Sequence, residues 1–309
     1  MTTVFIIGVD HMVGANFAVK LADQHRVVGI SWGTNLVGSS GMVEPSRPTA
    51  EGIRQLIRTY QPARLVYCGL GASACWDDYP PSAYLHDVQR LQLWLEATQH
   101  EAVHWTYLST DGIFTGPWMF HAENSRSLCR SIPAQQLYQA EQAVLSRHPS
   151  AFVVRTHAFG WSAQPCEACW FDRLWQGLQE GAAVLCDPVR HASPILVTDL
   201  IDSILHAWEA GLSGVYHIAG AERVNPVRFA QQLAQVFGLE YHHAGSQESL
   251  TKLAQGFGRG ETSLQTRKIR RALGISLPLL HEGLLRLQQQ LTNGHAARLS
   301  EGRTLSQVA

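Results

Sequence analysis

The apolar positions along this chain follow two alternating periods, and that alternation predicts its architecture. Residues 4–7 (Val-Phe-Ile-Ile) form a continuous β-branched and aromatic run that stops at Gly8, as a strand buried on both faces does. Residues 12–23 carry apolar side chains at helical spacing, and 26–30 repeat the buried-strand pattern. A helix over 51–60, a strand over 64–68, a long amphipathic helix over 82–98 and a strand over 103–108 follow. The next helix, over 132–147, has Ser131 as its N-cap and Pro133 in the first turn, where proline is tolerated. Beyond it the pattern predicts strands over 152–155 and 215–218, with helices over 171–179, 197–209 and 226–237. This order predicts an α/β fold built on a Rossmann-type, doubly wound parallel sheet. Residues 1–156 make the dinucleotide-binding-type domain. Residues 157–292 make a smaller C-terminal α/β substrate-binding domain with segments returning to the sheet, and the polar tail 293–309 is expected to fray.

Composition narrows the function classes. Hydrophobic residues make up 45% of the 309, yet no apolar run approaches the ~18 residues of a membrane span. The chain enters its first strand without a leader pattern, which predicts a cytoplasmic protein. A formal charge of −1 gives no steering toward nucleic acid or anionic membrane. Six cysteines in a chain of this length are no disulfide framework, and Cys166-Glu-Ala-Cys169 has no second pair at zinc-finger spacing, so it reads as loop packing. Fifteen histidines are present without a metal-binding spacing such as H-E-x-x-H, so no metal is expected. Asp77-Asp78 reads as a solvated loop pair, and Trp118, Trp170 and Trp175 as exposed rings for a partner surface or pocket rim.

The turn after the first strand, Gly8-Val-Asp-His-Met-Val-Gly14, lies where a glycine-rich phosphate loop would lie. In such a loop the first glycine makes the tight turn, the middle one lets backbone touch pyrophosphate, and the last lets helix and strand pack closely. Gly8 and Gly14 are present, but His11 stands at the middle position. The second strand ends in Ser31-Trp32, with neither an acid for a ribose hydroxyl nor an arginine for a 2′-phosphate. The candidate cofactor contacts are Gly8, His11, Met12, Gly14, Ser31 and Gly69, and whether NAD or NADP binds stays open.

The segment 107–116 (Tyr-Leu-Ser-Thr-Asp-Gly-Ile-Phe-Thr-Gly) resembles the catalytic-strand motif of the dTDP-4-dehydrorhamnose reductase-like branch of the extended short-chain dehydrogenases. Further matches run in order: Phe-Val-Val-Arg-Thr at 152–156, Asp187 with Ser193-Pro194 and Val-Thr-Asp-Leu at 197–200, and Gly-Val-Tyr-His-Ile-Ala-Gly at 214–220. Arg-Gly-Glu-Thr-Ser-Leu at 259–264, Lys268 and Leu-Gly-Ile-Ser-Leu-Pro at 273–278 close the series. The resemblance implies reduction of a 4-keto sugar nucleotide. A tyrosine would act as proton donor, a lysine four residues on would hold the cofactor ribose, and a strand Ser or Thr would bind the carbonyl oxygen. Thr110 fills the last role. Counting from Glu123 and from Glu141 puts the tyrosine position at Pro133 and the lysine position at Leu137, and neither residue can do that chemistry. Tyr138 is the one displaced acid on offer, but five residues along a helix it faces away from Pro133. Asp111, His121, Glu123, His191 and Arg259 are the candidate substrate-facing groups.

Three functions fit. The first is a nucleotide-sugar reductase with a displaced acid. The second is a binding or regulatory protein, as in the methionine adenosyltransferase β subunit that resembles this family, with a protein partner or second copy. The third is a cleft reprogrammed for other chemistry. The sequence favours a small-molecule ligand, in the nucleotide-sugar class, with the standard hydride transfer lost.

Overall fold

The computed structural model describes residues 1–31, 43–44, 49–164, 166–244 and 257–304. The first half alternates β1 (Thr3–Ile7), α1 (Met12–Leu21), β2 (Arg26–Ile30), β3 (Val43–Glu44), α2 (Ala50–Tyr60), β4 (Arg64–Tyr67), α3 (Pro81–Thr98), β5 (His104–Thr110), α4 (Ile132–Arg147) and β6 (Phe152–Thr156). The second half holds β7 (Ala158–Phe159), α5 (Trp170–Gln179), β8 (Ala183–Leu185), β9 (Ile195–Leu196), α6 (Val197–Glu209), β10 (Gly214–His217), α7 (Pro226–Phe237), β11 (His242–Ala244), α8 (Arg267–Leu273), α9 (Leu280–Gln289) and α10 (His295–Thr304).

The main sheet is parallel throughout, in the order β3-β2-β1-β4-β5-β6-β10. Alternation along β1 explains both covered faces. Val4 and Ile6 pack with Phe17, Ile201 and Ile204 of α1 and α6, while Phe5 and Ile7 pack with Trp94 and Ile53 of α3 and α2. Strand order reverses between β1 and β4, so the crevice at the carboxyl ends of β1, β4, β5 and β6 is where this architecture places ligands. β10 returns to the sheet beside β6, with Val215 opposite Val153. The remaining elements form a second core around Phe159, Trp170, Phe171 and Phe229, with small parallel pairs β8–β11 and β7–β9.

Two expectations change. The tail does not fray throughout: His295–Thr304 forms α10, and Leu299 packs on Ala15 and Val19 of α1. His295 bonds Asn16 at 2.7 Å and the Arg298 guanidinium donates to the Val19 carbonyl at 2.9 Å, contacts that a polar composition conceals. Trp170 is buried in the second core rather than exposed, whereas Trp118 is 70% exposed. Among the described residues no helix is long and apolar enough to cross a membrane. Trp32 lies outside the described residues.

Candidate functional site

The β1–α1 turn keeps the shape of a phosphate loop. Gly8 adopts φ 81°, and a Cβ at Gly14 would sit 2.1 Å from the Gly8 carbonyl oxygen, so close packing of α1 on the turn requires glycine there. The side chains of the turn are engaged by the chain itself. His11 is the N-cap of α1, and its Nδ1 accepts from the Val13 amide at 3.4 Å. With Nδ1 an acceptor, Nε2 carries the proton of the neutral ring and donates to Ser73 Oγ at 2.9 Å, across the crevice to the loop after β4. Burial holds the His11 pKa down at about 4, against the opposing charge of Asp10. Asp10 Oδ2 accepts from Ser31 Oγ at 2.8 Å, tying the turn to the end of β2. Met12 packs against the core under α1. Gly69 is held small by its neighbours: a Cβ would lie 2.3 Å from Asp87 Oδ1. That carboxylate accepts from the Leu70 amide and the Tyr67 hydroxyl, and burial pushes its pKa up to about 6.

β5 runs to Thr110, two residues past the predicted end, because Ser109 and Thr110 keep pairing with Arg155 and Thr156. This places Thr110 at the strand end, yet its side chain is wholly buried and committed. The hydroxyl donates to Asp111 Oδ1 at 3.2 Å and accepts from the Gly112 amide at 3.0 Å. Pro133 is buried in the first turn of α4, and Leu137 packs with Tyr84, Ile113, Phe114 and Leu264. Tyr138 is half-buried against the same cluster. Further along α4, Glu141 is wholly buried and receives Arg155 through Nε at 2.9 Å and Nη2 at 2.6 Å, with Ser109 Oγ as a third donor. The same guanidinium donates to the Glu123 carbonyl at 3.0 Å and lies 5.2 Å from the Phe114 ring centre. The helix is therefore anchored by its second half.

The strand ends also gather a polar cluster that spacing could not announce. Asp111 follows β5, His157 follows β6, Cys75 lies in the loop beyond β4, and Thr262 comes from the C-terminal segment; each is at most 1% exposed. His157 Nδ1 lies 2.8 Å from Asp111 Oδ2, and Thr262 Oγ1 lies 2.8 Å from the same oxygen. Cys75 Sγ is 3.2 Å from Asp111 Oδ2, 3.3 Å from Thr262 Oγ1 and 3.7 Å from His157 Nδ1. Asp111 Oδ1 accepts from the Cys75 amide at 3.3 Å in addition to Thr110. Burial and the neighbouring Asp111 charge push the Cys75 thiol well up. Burial works against ionising Asp111, but His157, Thr262 and Cys75 together hold its carboxyl below the usual range. The Trp76 ring meets His157 edge-on at 4.4 Å, and His157 Nε2 is buried without a hydrogen-bond partner.

Of the predicted substrate-facing residues, Asp111 alone is shown inside this cluster. His121 is buried, which lowers its pKa, with Nδ1 on Ser125, Nε2 on the Glu261 carbonyl and its ring stacked on Phe114 at 4.7 Å. Glu123 Oε1 accepts from the His217 amide at 3.1 Å, joining the β5–α4 loop to β10. His191 donates Nδ1–H to the Val189 carbonyl at 2.8 Å, while its own carbonyl lies 2.9 Å from Thr262 Oγ1. Arg259 is partly buried in the turn before Glu261. Asp77 is not solvated: it accepts from the Trp170 amide at 2.8 Å, and burial pushes its pKa to about 7. Cys166 and Cys169 are free thiols, Cys169 serving as the buried N-cap residue of α5. Cys75, His157 and Thr262 were missed because the tertiary fold alone brings together residues so far apart in sequence.

Comparison with known proteins agrees with this architecture. No curated protein matches the chain. The dTDP-4-dehydrorhamnose reductase of Bacillus anthracis str. Ames, solved in complex with NADP, has a TM-score of 0.77 and 18% identity, covering 94% of this chain and 100% of its own. The dTDP-4-dehydrorhamnose reductase of Yersinia enterocolitica gives 0.72 and 13%, covering 93% and 98%. UDP-glucuronic acid 4-epimerase of Bacillus cereus in complex with NAD gives 0.68 and 15%, covering 94% and 100%. At these identities the structures share the fold. A family model described as the RmlD substrate binding domain matches residues 1–293, and with the strand order and the motif at 109–116 it makes the chain a member of that dTDP-4-dehydrorhamnose reductase-like family.

Proposed function

We propose that this protein uses the RmlD scaffold to hold a small ligand of the nucleotide-sugar class and has lost hydride transfer by the tyrosine–lysine route. One observation carries the reading. The Thr110 hydroxyl is buried and spent on Asp111 and Gly112, while Pro133 and Leu137 are core residues at the positions where the resemblance puts the proton donor and its lysine. The cofactor turn supports the same reading. A helix N-terminus binds phosphate through free amides and the positive end of its dipole. Here His11 caps the Val13 amide and reaches Ser73, and the Asp10 carboxylate occupies the turn before α1. These groups do not fit a pyrophosphate in the loop. A related solved structure, the UDP-glucuronic acid 4-epimerase of Bacillus cereus, holds UDP-glucuronic acid, which supports the ligand class.

The test is a thermal-shift series with NADPH, NADH, dTDP and a dTDP-linked sugar, together with NADPH consumption in the presence of a dTDP-4-keto sugar. A ligand that binds only the folded state raises Tm. The expected result is a shift with the dTDP compounds, none with either dinucleotide and no NADPH consumption. Turnover of NADPH would overturn the reading. A role toward a protein partner has its own support: Trp118, Met119 and Phe120 are consecutive and 70%, 59% and 41% exposed. Sizing in solution with and without Trp118→Ala tests that surface.

A further inference from the structure

Five distances in the strand-end cluster describe three atoms of metal-ligand type and one threonine hydroxyl around one point. Sγ of Cys75, Nδ1 of His157, Oδ2 of Asp111 and Oγ1 of Thr262 lie 2.8 to 3.7 Å from one another in the five pairs given by the geometry. In a tetrahedral zinc site with Zn–N and Zn–O of about 2.0–2.2 Å and Zn–S of about 2.3 Å, neighbouring ligand atoms are roughly 3.3–3.6 Å apart. The cluster therefore needs only a small expansion to enclose an ion. The Cys75, His157 and Asp111 ligand atoms all lie within 4.8 Å of one another.

We propose that Cys75, His157, Asp111 and Thr262 bind one zinc-class divalent cation, which seals the carboxyl ends of β4, β5 and β6 with a closed structural site. Hydrogen bonding alone does not fix the position of the Thr262 hydroxyl proton. Thr262 has one hydroxyl proton but faces two acceptors, Asp111 Oδ2 and the His191 carbonyl. With a cation on its lone pair, that proton belongs to His191. Asp111 divides in the same way: Oδ1 accepts from Thr110 and the Cys75 amide, which orients the carboxylate and leaves Oδ2 for the ion. No lysine or arginine is paired with Asp111 among the described residues, so its buried charge has only neutral donors and an imidazole for compensation.

The charges balance. On binding, the Cys75 thiol releases one proton to solvent, and His157 ligates through Nδ1 as the neutral ring, whose one proton is then on Nε2. The divalent ion then meets one thiolate and one carboxylate, giving a neutral site. A thiolate and an imidazole beside two oxygens suit zinc better than magnesium or calcium, which prefer all-oxygen shells. The site is closed because all four side chains are buried and the Phe257 ring packs against Gly112.

The proposal does not depend on the fate of hydride transfer, since either can fail alone. The test is metal analysis of the untagged full-length chain, stripped with chelator, reconstituted with zinc and desalted. About one zinc per chain is expected. The cobalt-loaded protein should show a thiolate-to-cobalt charge-transfer band and tetrahedral visible bands. Cys75→Ser should abolish the charge-transfer band, and His157→Ala should cut zinc content at least tenfold, while the double variant Cys166→Ser/Cys169→Ser keeps both. Less than a tenth of an equivalent in the reconstituted wild type overturns the proposal. So does loss of metal from the Cys166/Cys169 variant with retention in Cys75→Ser. The wild-type stoichiometry and cobalt spectrum decide the matter even if a cluster variant fails to fold.

Discussion

Glu141 and Asp111 are both wholly buried beside the ends of β5 and β6, yet they are compensated in opposite ways. Glu141 receives a bidentate guanidinium from Arg155 and a hydroxyl from Ser109, so its charge is cancelled where it sits. Asp111 meets a thiol, two hydroxyls, an amide and an imidazole. The first arrangement is complete and fixes α4 against the sheet. The second gathers five donors around a buried carboxylate with no lysine or arginine paired to it among the described residues, which is the setting in which a cation can replace their protons. A buried carboxylate is thus structural or functional according to what faces it, and not according to depth.

The largest effect should come from breaking the complete pair. Arg155→Met strands Glu141 in the core and should cost about 3–5 kcal/mol in urea unfolding, while Glu141→Leu in the same chain should restore much of it. A loss below about 1 kcal/mol would remove the contrast. Next, Leu137→Ala should cost about 2–5 kcal/mol, because the side chain is fully enclosed and its neighbours only partly collapse. A negligible loss would mean that α4 is not packed at Leu137. Asp111→Asn in chelator-treated protein should cost less, about 1–3 kcal/mol, since an amide still accepts from Thr110 and the Cys75 amide. A penalty as large as that of Arg155→Met would show that Asp111 carries fold stability on its own.

His11→Gly should act on binding. It frees the Val13 amide and removes the ring from the crevice, so NADPH affinity by calorimetry should rise at least tenfold, about 1.4 kcal/mol. Unchanged affinity would mean that Asp10 alone closes the turn. The smallest effect is on pH. His11 has its folded pKa lowered to about 4 from 6.5, so the folded state binds its proton less readily than the unfolded chain. Its contribution is full above pH 6.5 and is lost as pH falls through 4. Asp77 and Asp87, pushed up to about 7 and about 6, act in the opposite sense in wild type and variant alike. Between those pH values the wild-type Tm should therefore drop further than that of His11→Asn. Parallel Tm curves would refute this role of His11.

The cofactor turn and α4 show how far sequence reading reached. Gly8 and Gly14 were legible because each answers a backbone demand, and the register that sets Leu137 opposite the expected lysine rests on Glu123, in the loop before α4, and Glu141, on the helix itself. His11 could be read as a change at the loop but not as a cap on Val13 with a hand on Ser73, since Ser73 is 62 residues away. His121 and Glu123 looked like cleft residues by position. The fold turned them toward Ser125, Glu261 and His217.

By itself the sequence determined the alternating strands and helices, the parallel Rossmann-type sheet and the family, because periodicity and local motifs carry that information along one segment. The tertiary structure alone decided the docking of α10 on α1, the commitment of Thr110 and the meeting of Cys75, Asp111, His157 and Thr262. Those depend on which strand ends lie side by side and on which donors are left facing one another once water is excluded, and no spacing within the chain encodes either.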